Sequence, residues 1–195
     1  MLKPFFALAV LLLSVNPVLA ETFVFRELGL SFQGPEGWHV FADAAFRREA
    51  GKADYGSDEL NQQIQNTDEN KLLSLLRDPV SVGVNPGVHV YLYPGDVPNF
   101  GVGLQRAMAY LEKNTESFEL LEGPIEDKLA DFPSGYIRYR YIARSQGSAF
   151  AVEELLWIAP MSERYLVIST GTAPDESTSV KHKIWEAVHS LRTLN

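Results

Sequence analysis

The sequence predicts an α+β domain, an α/β/α sandwich whose central antiparallel sheet is covered by helices. Three observations predict it. Four extended runs follow one another at 118–121, 136–143, 150–158 and 165–170, separated only by short turn-forming stretches. Strands joined that closely pair antiparallel, because a parallel pair needs a crossover of a dozen or more residues. A helical pattern precedes the run, with Leu104, Ala107, Met108 and Leu111 at i, i+3, i+4 and i+7. A second helix closes the chain, with Val180, Ile184, Val188 and Leu191 on one face.

The elements follow in order. Residues 1–20 have the three parts of a cleavable signal peptide. These are Lys3, an apolar run at 5–13, and a break at Ser14, Asn16 and Pro17 before Val18-Leu19-Ala20. The run is short of the roughly 20 apolar residues that a spanning helix needs, so a single domain over 21–195 and no stable membrane anchor are expected. Residues 23–28 and 30–33 read as short strands, Gly34-Pro35-Glu36-Gly37 as a turn and 38–41 as an extended segment. A polar excursion occupies 43–66. Asn66 and Glu69 resemble a capping pair that opens a helix through Leu72, Leu73, Leu75 and Leu76, ended by Asp78-Pro79. Strands are expected at 80–84 and 88–93, parted by Asn85-Pro86-Gly87. In the second half, Gly123-Pro124, Pro133-Ser134-Gly135, Ser145-Gln146-Gly147-Ser148 and Pro160-Met161-Ser162 read as the punctuation between strands. A two-residue Gln146-Gly147 loop sets Ser145 against Ser148, which places Arg140 opposite Glu153 with Arg138 diagonal to the same carboxylate.

Charge and cysteine content exclude several classes. Seventeen basic against 25 acidic residues leave a formal charge of −8, with no basic stripe, so nucleic acid is not an expected partner. Cysteine is absent. The domain must therefore hold together without disulfides, and neither a thiolate nor an N-terminal lipidated cysteine is available.

Motifs for chemistry are lacking as well. There is no G-x-S-x-G elbow, S-x-x-K pair, H-E-x-x-H pattern or phosphate-cradling glycine loop. His182, Glu186 and His189 share one helical face and have metal-ligand chemistry. That face lies opposite the apolar stripe, and a solvated polar face explains the same letters. His39 and His89 read as structural strand residues, Ser134 as turn chemistry, and the acidic stretch around Asp54 and Asp58 as loop rather than a calcium site. The aromatics Tyr136, Tyr139, Tyr141, Phe150, Trp157 and Tyr165 read as core. No catalytic, metal or cofactor-binding residue is assigned and no cofactor is expected. The reading is an exported, periplasmic, non-enzymatic binding or assembly module for an envelope protein or a small ligand. The alternative is a periplasmic hydrolase with a noncanonical site in the polar excursion and the strand ends.

The run Leu30-Ser31-Phe32-Gln33-Gly34-Pro35-Glu36-Gly37-Trp38, the helix ending at Pro79, the mid-chain helix, the strand meander and the closing 184–191 segment together resemble the PsbP-like superfamily, including its DcrB-like envelope proteins. The resemblance covers most of 21–195 and implies the α/β/α sandwich. It implies docking or binding roles rather than chemistry, and it carries over no functional residue.

Overall fold

The structure is a computed structural model that describes residues 20–43, 70–79, 81, 83–145 and 147–194. Seven strands form one antiparallel sheet in the order β3-β4-β5-β9-β8-β7-β6. They are β3 (His39–Asp43), β4 (Lys71–Leu76), β5 (Gly87–Pro94), β6 (Glu116–Leu129), β7 (Phe132–Ser145), β8 (Ser148–Met161) and β9 (Arg164–Thr172). A smaller sheet joins β1 (Thr22–Phe25), β2 (Leu30–Gln33) and β10 (Arg192–Thr193), with β2 in the middle. Helix α1 (Phe100–Asn114) packs on one face of the large sheet, over β6, β7 and β8. Helix α2 (Thr178–Val188) packs on the other face, between that sheet and β2. The expected α/β/α sandwich is therefore the observed architecture.

Period-two alternation sorts the strand side chains between these layers. Leu73, Leu75, Val88, Val90, Trp157, Ala159, Leu166 and Ile168 face α2. They form a core with Ile184, Val188 and Leu191, and with Leu30 and Phe32 of the small sheet. The closing helix thus buries the apolar stripe that its spacing predicts. On the α1 face, Leu104, Ile137, Tyr139, Ile158 and Val167 form a second, separate cluster. Asn99 caps α1 by accepting from the Val102 N–H at 3.0 Å, and Gly103 allows the helix to approach β8. A Cβ at Gly103 would stand 3.0 Å from Ile158 Cγ2 and from Val97 Cγ1.

Several sequence expectations are corrected. The helix expected through Leu72–Leu76 is strand β4, hydrogen-bonded to β3 on one side and β5 on the other. A short apolar run carries no period that separates strand from helix, and here both faces of the run are covered. Asn66 and Glu69, and the polar excursion beyond Asp43, lie outside the described residues. Ser81, Gly83 and Val84 are not in a strand, and Val80 and Val82 lie outside the described residues. The segment is a loop clipped to the end of β4, where Asn85 accepts from the Asp78 N–H at 3.2 Å and donates to the Asp78 carbonyl at 2.7 Å.

Gly123-Pro124 and Pro133-Ser134-Gly135 are not turns but interior residues of β6 and β7. The turn between those strands is Ala130-Asp131, with Ala130 at φ 53°. Gly123 sits at φ 101°, where a Cβ would fall 2.7 Å from the Tyr136 carbonyl oxygen, so the β6 ladder shifts register there. The β7–β8 register is the expected one. Ser145 pairs with Ser148 and Arg140 with Glu153, although Gln146 itself lies outside the described residues.

Candidate functional site

The α1 face of the sheet holds a cavity of about 760 Å³, bounded on one side by α1 and floored by four strands. Register explains its lining. Tyr91 pairs with Val167 and Tyr93 with Tyr165, so the far wall is a row of tyrosines on β5 and β9. Tyr91 and Tyr93 stack with centroids 5.9 Å apart, and Tyr93 stacks on Tyr165 at 5.5 Å. Tyr139 and Tyr141 of β7 stack at 5.9 Å and form the floor with Leu156. Gly103, Ala107 and Leu111 supply the helix side. Because α1 lies over β6 to β8, it leaves the β5–β9 tyrosines open to the cavity. Tyr110 and Arg106 stand exposed on the helix at the cavity rim.

One acidic group, the partly buried Glu154, lines this site. Glu154 of β8 pairs with Tyr139 and accepts hydrogen bonds from the hydroxyls of Tyr139, Tyr141 and Ser169. Burial pushes its carboxyl above the usual carboxylate range, against the pull of those three donors. The same environment raises both tyrosine hydroxyls well above their ordinary value, through burial first and the neighbouring Glu154 next. Beyond the cavity on the same face, Ser74 Oγ and His89 Nδ1 lie 2.7 Å apart. Burial holds the His89 imidazole down to about 4, with the Lys71 ammonium adding to the shift. His89 is thus the satisfied structural residue the sequence suggests.

The opposite face carries the residues that sequence reasoning singled out. Glu153 gathers Arg138 at 3.4 Å, Arg140 at 3.5 Å and Lys181 at 3.6 Å. Arg138 and Arg140 also reach Glu122 and Glu119, so the expected pairs belong to a wider network. His182 and Glu186 are exposed and face each other at 3.3 Å. His189 departs from that solvated face. It follows the last turn of α2, where its ring stacks on Trp185 at 4.3 Å and its Nε2 lies 3.0 Å from Asp127. Asp127 also accepts from the Trp157 indole N–H at 2.9 Å. Among the described residues no group of three or more His, Asp or Glu side chains is placed to hold a metal ion.

Ser134 lies across the ladder from Asp127, which brings serine, aspartate and histidine into one neighbourhood. The arrangement lacks what nucleophilic catalysis needs. Ser134 is fully buried, and both nitrogens of His189 are taken, Nε2 by Asp127 and Nδ1 by the Trp185 carbonyl at 2.9 Å.

Sequence reasoning placed Tyr139, Tyr141 and Tyr165 in the core. The structure places Tyr139 there, with all three also lining the cavity, and adds Tyr91, Tyr93 and Glu154. A usable signal was present, since the Ser145–Ser148 register that sets Arg140 against Glu153 also sets Tyr139 against Glu154. The β5–β9 pairing that completes the wall joins strands distant in the chain and has no local signature.

No family model matches the chain, and no curated protein matches it by sequence. Solved structures match it in fold. The cyanobacterial PsbP (CyanoP) of Synechocystis sp. PCC 6803 aligns at TM-score 0.57 and 12% identity, covering 92% of this chain and 95% of that one. The Ran-binding protein Mog1p of Saccharomyces cerevisiae aligns at 0.53 and 12%, covering 90% and 96%. LpqN of Mycobacterium tuberculosis, described as involved in cell envelope biogenesis, aligns at 0.51 and 14%, covering 93% and 88%. A longer Bacteroides thetaiotaomicron structure is matched over 49% of its length. The chain therefore has a PsbP-like fold, as its sequence resemblance implies, and at these identities the likeness concerns the fold alone. Among the described residues no helix is long and apolar enough to cross a membrane.

Proposed function

We propose that this chain is a non-enzymatic binding module of the periplasm that holds a small, largely apolar ligand between α1 and the sheet. The observation that carries the reading is the cavity. Its volume of about 760 Å³ lies within the ~300–1,000 Å³ typical of small-molecule sites, and its walls are mainly aromatic and aliphatic with few converging polar groups. An envelope protein is the other partner the sequence allows, but a concave site of this size suits a small ligand better than a flat docking face. Export rests on the leader pattern of residues 1–20, and the binding-only reading on the buried Ser134 and the fully engaged His189 ring.

Fluorescence of N-phenyl-1-naphthylamine, an uncharged apolar probe, tests the reading. The wild-type protein should enhance it saturably. Ala107→Trp, which fills the cavity from α1, should abolish the enhancement, while His182→Ala on the other face leaves it unchanged. Absence of enhancement, or equal enhancement by Ala107→Trp, would contradict cavity binding. Export is tested by the intact mass of the secreted species, which should begin at Glu21.

A further inference from the structure

Two adjacent glutamates of β8 are satisfied in opposite ways. Glu153 is surrounded by Arg138, Arg140 and Lys181. Glu154, on the other face, has three hydroxyl partners and, among the described residues, no ion pair with a cationic side chain. A desolvated carboxyl without a counter-charge is costly, and hydroxyl donors offset only part of that cost. Among the described residues no cation meets this carboxyl, which leaves its charge to a ligand or to a retained proton. Glu154 also borders an open cavity whose wall is a row of tyrosine rings, the natural surface for a cation that has shed its water. The wall already holds one such contact, with the Lys71 ammonium 5.3 Å from the Tyr91 ring centroid.

We infer that the cavity takes an organic ammonium, a tertiary or quaternary amine on a small apolar body, whose positive group supplies the counter-charge of Glu154 and rests against the tyrosine rings. The inference builds on the cavity-binding reading and adds the ligand class. Charge favours it. The chain carries −8 overall, and at the mouth Arg106 and Asp96 offset each other, leaving Glu154 as the remaining charge in the lining. The ammonium needs its apolar body because most of the lining is aromatic and aliphatic, which excludes a small hydrated inorganic cation.

A proton linkage follows. Burial favours the protonated Glu154 carboxyl in the free protein, and a bound cation favours the carboxylate, so binding releases a proton and strengthens as pH rises. The groups facing Glu154 are Tyr139 and Tyr141 from β7, Ser169 from β9 and Tyr91 from β5, with Arg106 from α1 and Asp96 at the mouth. Both floor tyrosines have hydroxyls pushed above their ordinary value, so the acidic-to-neutral change belongs to Glu154.

The test is calorimetric titration with choline and with 3,3-dimethylbutan-1-ol, its uncharged analogue of the same shape. Choline should bind at least about tenfold more tightly, the step expected of a desolvated cation against aromatic rings. Glu154→Gln, which keeps the shape and an acceptor oxygen, should remove that preference while N-phenyl-1-naphthylamine still binds. Tyr165→Leu should weaken choline and Tyr165→Phe should not, which keeps the question open to refutation if Glu154→Gln does not fold. Equal affinity for the two alcohols, or no choline binding by a protein that binds the naphthyl probe, overturns the ammonium assignment and leaves the cavity reading standing. Failure of the naphthyl probe as well overturns both.

Discussion

The two faces of the large sheet are built by the same strands and finished differently. On the α2 face, Trp157 is fully buried, its indole N–H is bonded to Asp127, and Asp127 is bonded in turn to His189 at the end of the helix. On the α1 face, the tyrosines of β5 and β9 line the cavity. Trp157 and Leu156 are neighbours in sequence, as are Glu153 and Glu154, yet each pair divides between the two faces, Trp157 and Glu153 toward α2 and Leu156 and Glu154 toward the α1 cavity. Fate follows the face rather than the place in the chain, because alternation along a strand assigns each side chain to one layer. The α2 face gathers counter-charges around Glu153 and apolar contacts around Trp157. On the α1 face, among the described residues, the Glu154 carboxyl has hydroxyl partners and no cationic one.

Truncation on each face gives the largest test of this contrast. Trp157→Ala should cost about 3–5 kcal/mol, the usual range for emptying a fully buried aromatic site, and Tyr165→Ala, on the cavity wall, less than half as much. Urea denaturation of both variants measures the difference, and equal losses would break the comparison.

Acid comes next. His89 is held down to about 4 in the folded protein against an ordinary value of 6.5, so the unfolded chain takes the proton first. Its contribution is present above about pH 6.5 and is lost as pH falls toward 4, up to about 3 kcal/mol. Glu154 has the opposite sign. Its raised carboxyl opposes folding once pH rises above the ordinary carboxylate value of 4.5. The urea midpoint of His89→Gln should therefore fall less between pH 7 and 4 than that of wild type. A wild-type midpoint that does not depend on His89 across that window would remove the buried imidazole from the account.

The smallest effect sharpens the charged side. A double-mutant cycle on Arg140 and Glu153 should give a coupling of about 0.2–1 kcal/mol, since Arg140 is partly exposed and its pair spans 3.5 Å. A coupling of several kcal/mol would mean that the network on the α2 face is more rigid than its distances indicate.

Legibility in the sequence followed the range of the interactions. The β7–β8 register was readable because one short turn fixes it, and the apolar stripe of α2 because spacing alone defines a helical face. Strand β4 was misread because Leu72-Leu73-Ser74-Leu75-Leu76 becomes a strand only between β3 and β5. Gly123-Pro124 looked like a turn because glycine and proline mark turns and strand irregularities alike. His189 was assigned to the solvent face by helical periodicity, but the helix ends at Val188 and the ring then turns to Asp127. Half of the candidate site, Tyr139 opposite Glu154, followed from a register the sequence supplies. The other half needed Tyr93 beside Tyr165 and α1 over β6 to β8, and such tertiary contacts leave no local pattern.

The most direct test of the central claim is an amide chemical-shift titration of ¹⁵N-labelled protein with N-phenyl-1-naphthylamine. Cavity binding predicts saturable shifts confined to 91–97, 103–111, 139–141, 154–158 and 165–169, with residues 178–188 of α2 undisturbed. Shifts centred on α2, Glu153 and Trp185, or none at a probe concentration that saturates fluorescence, would contradict it.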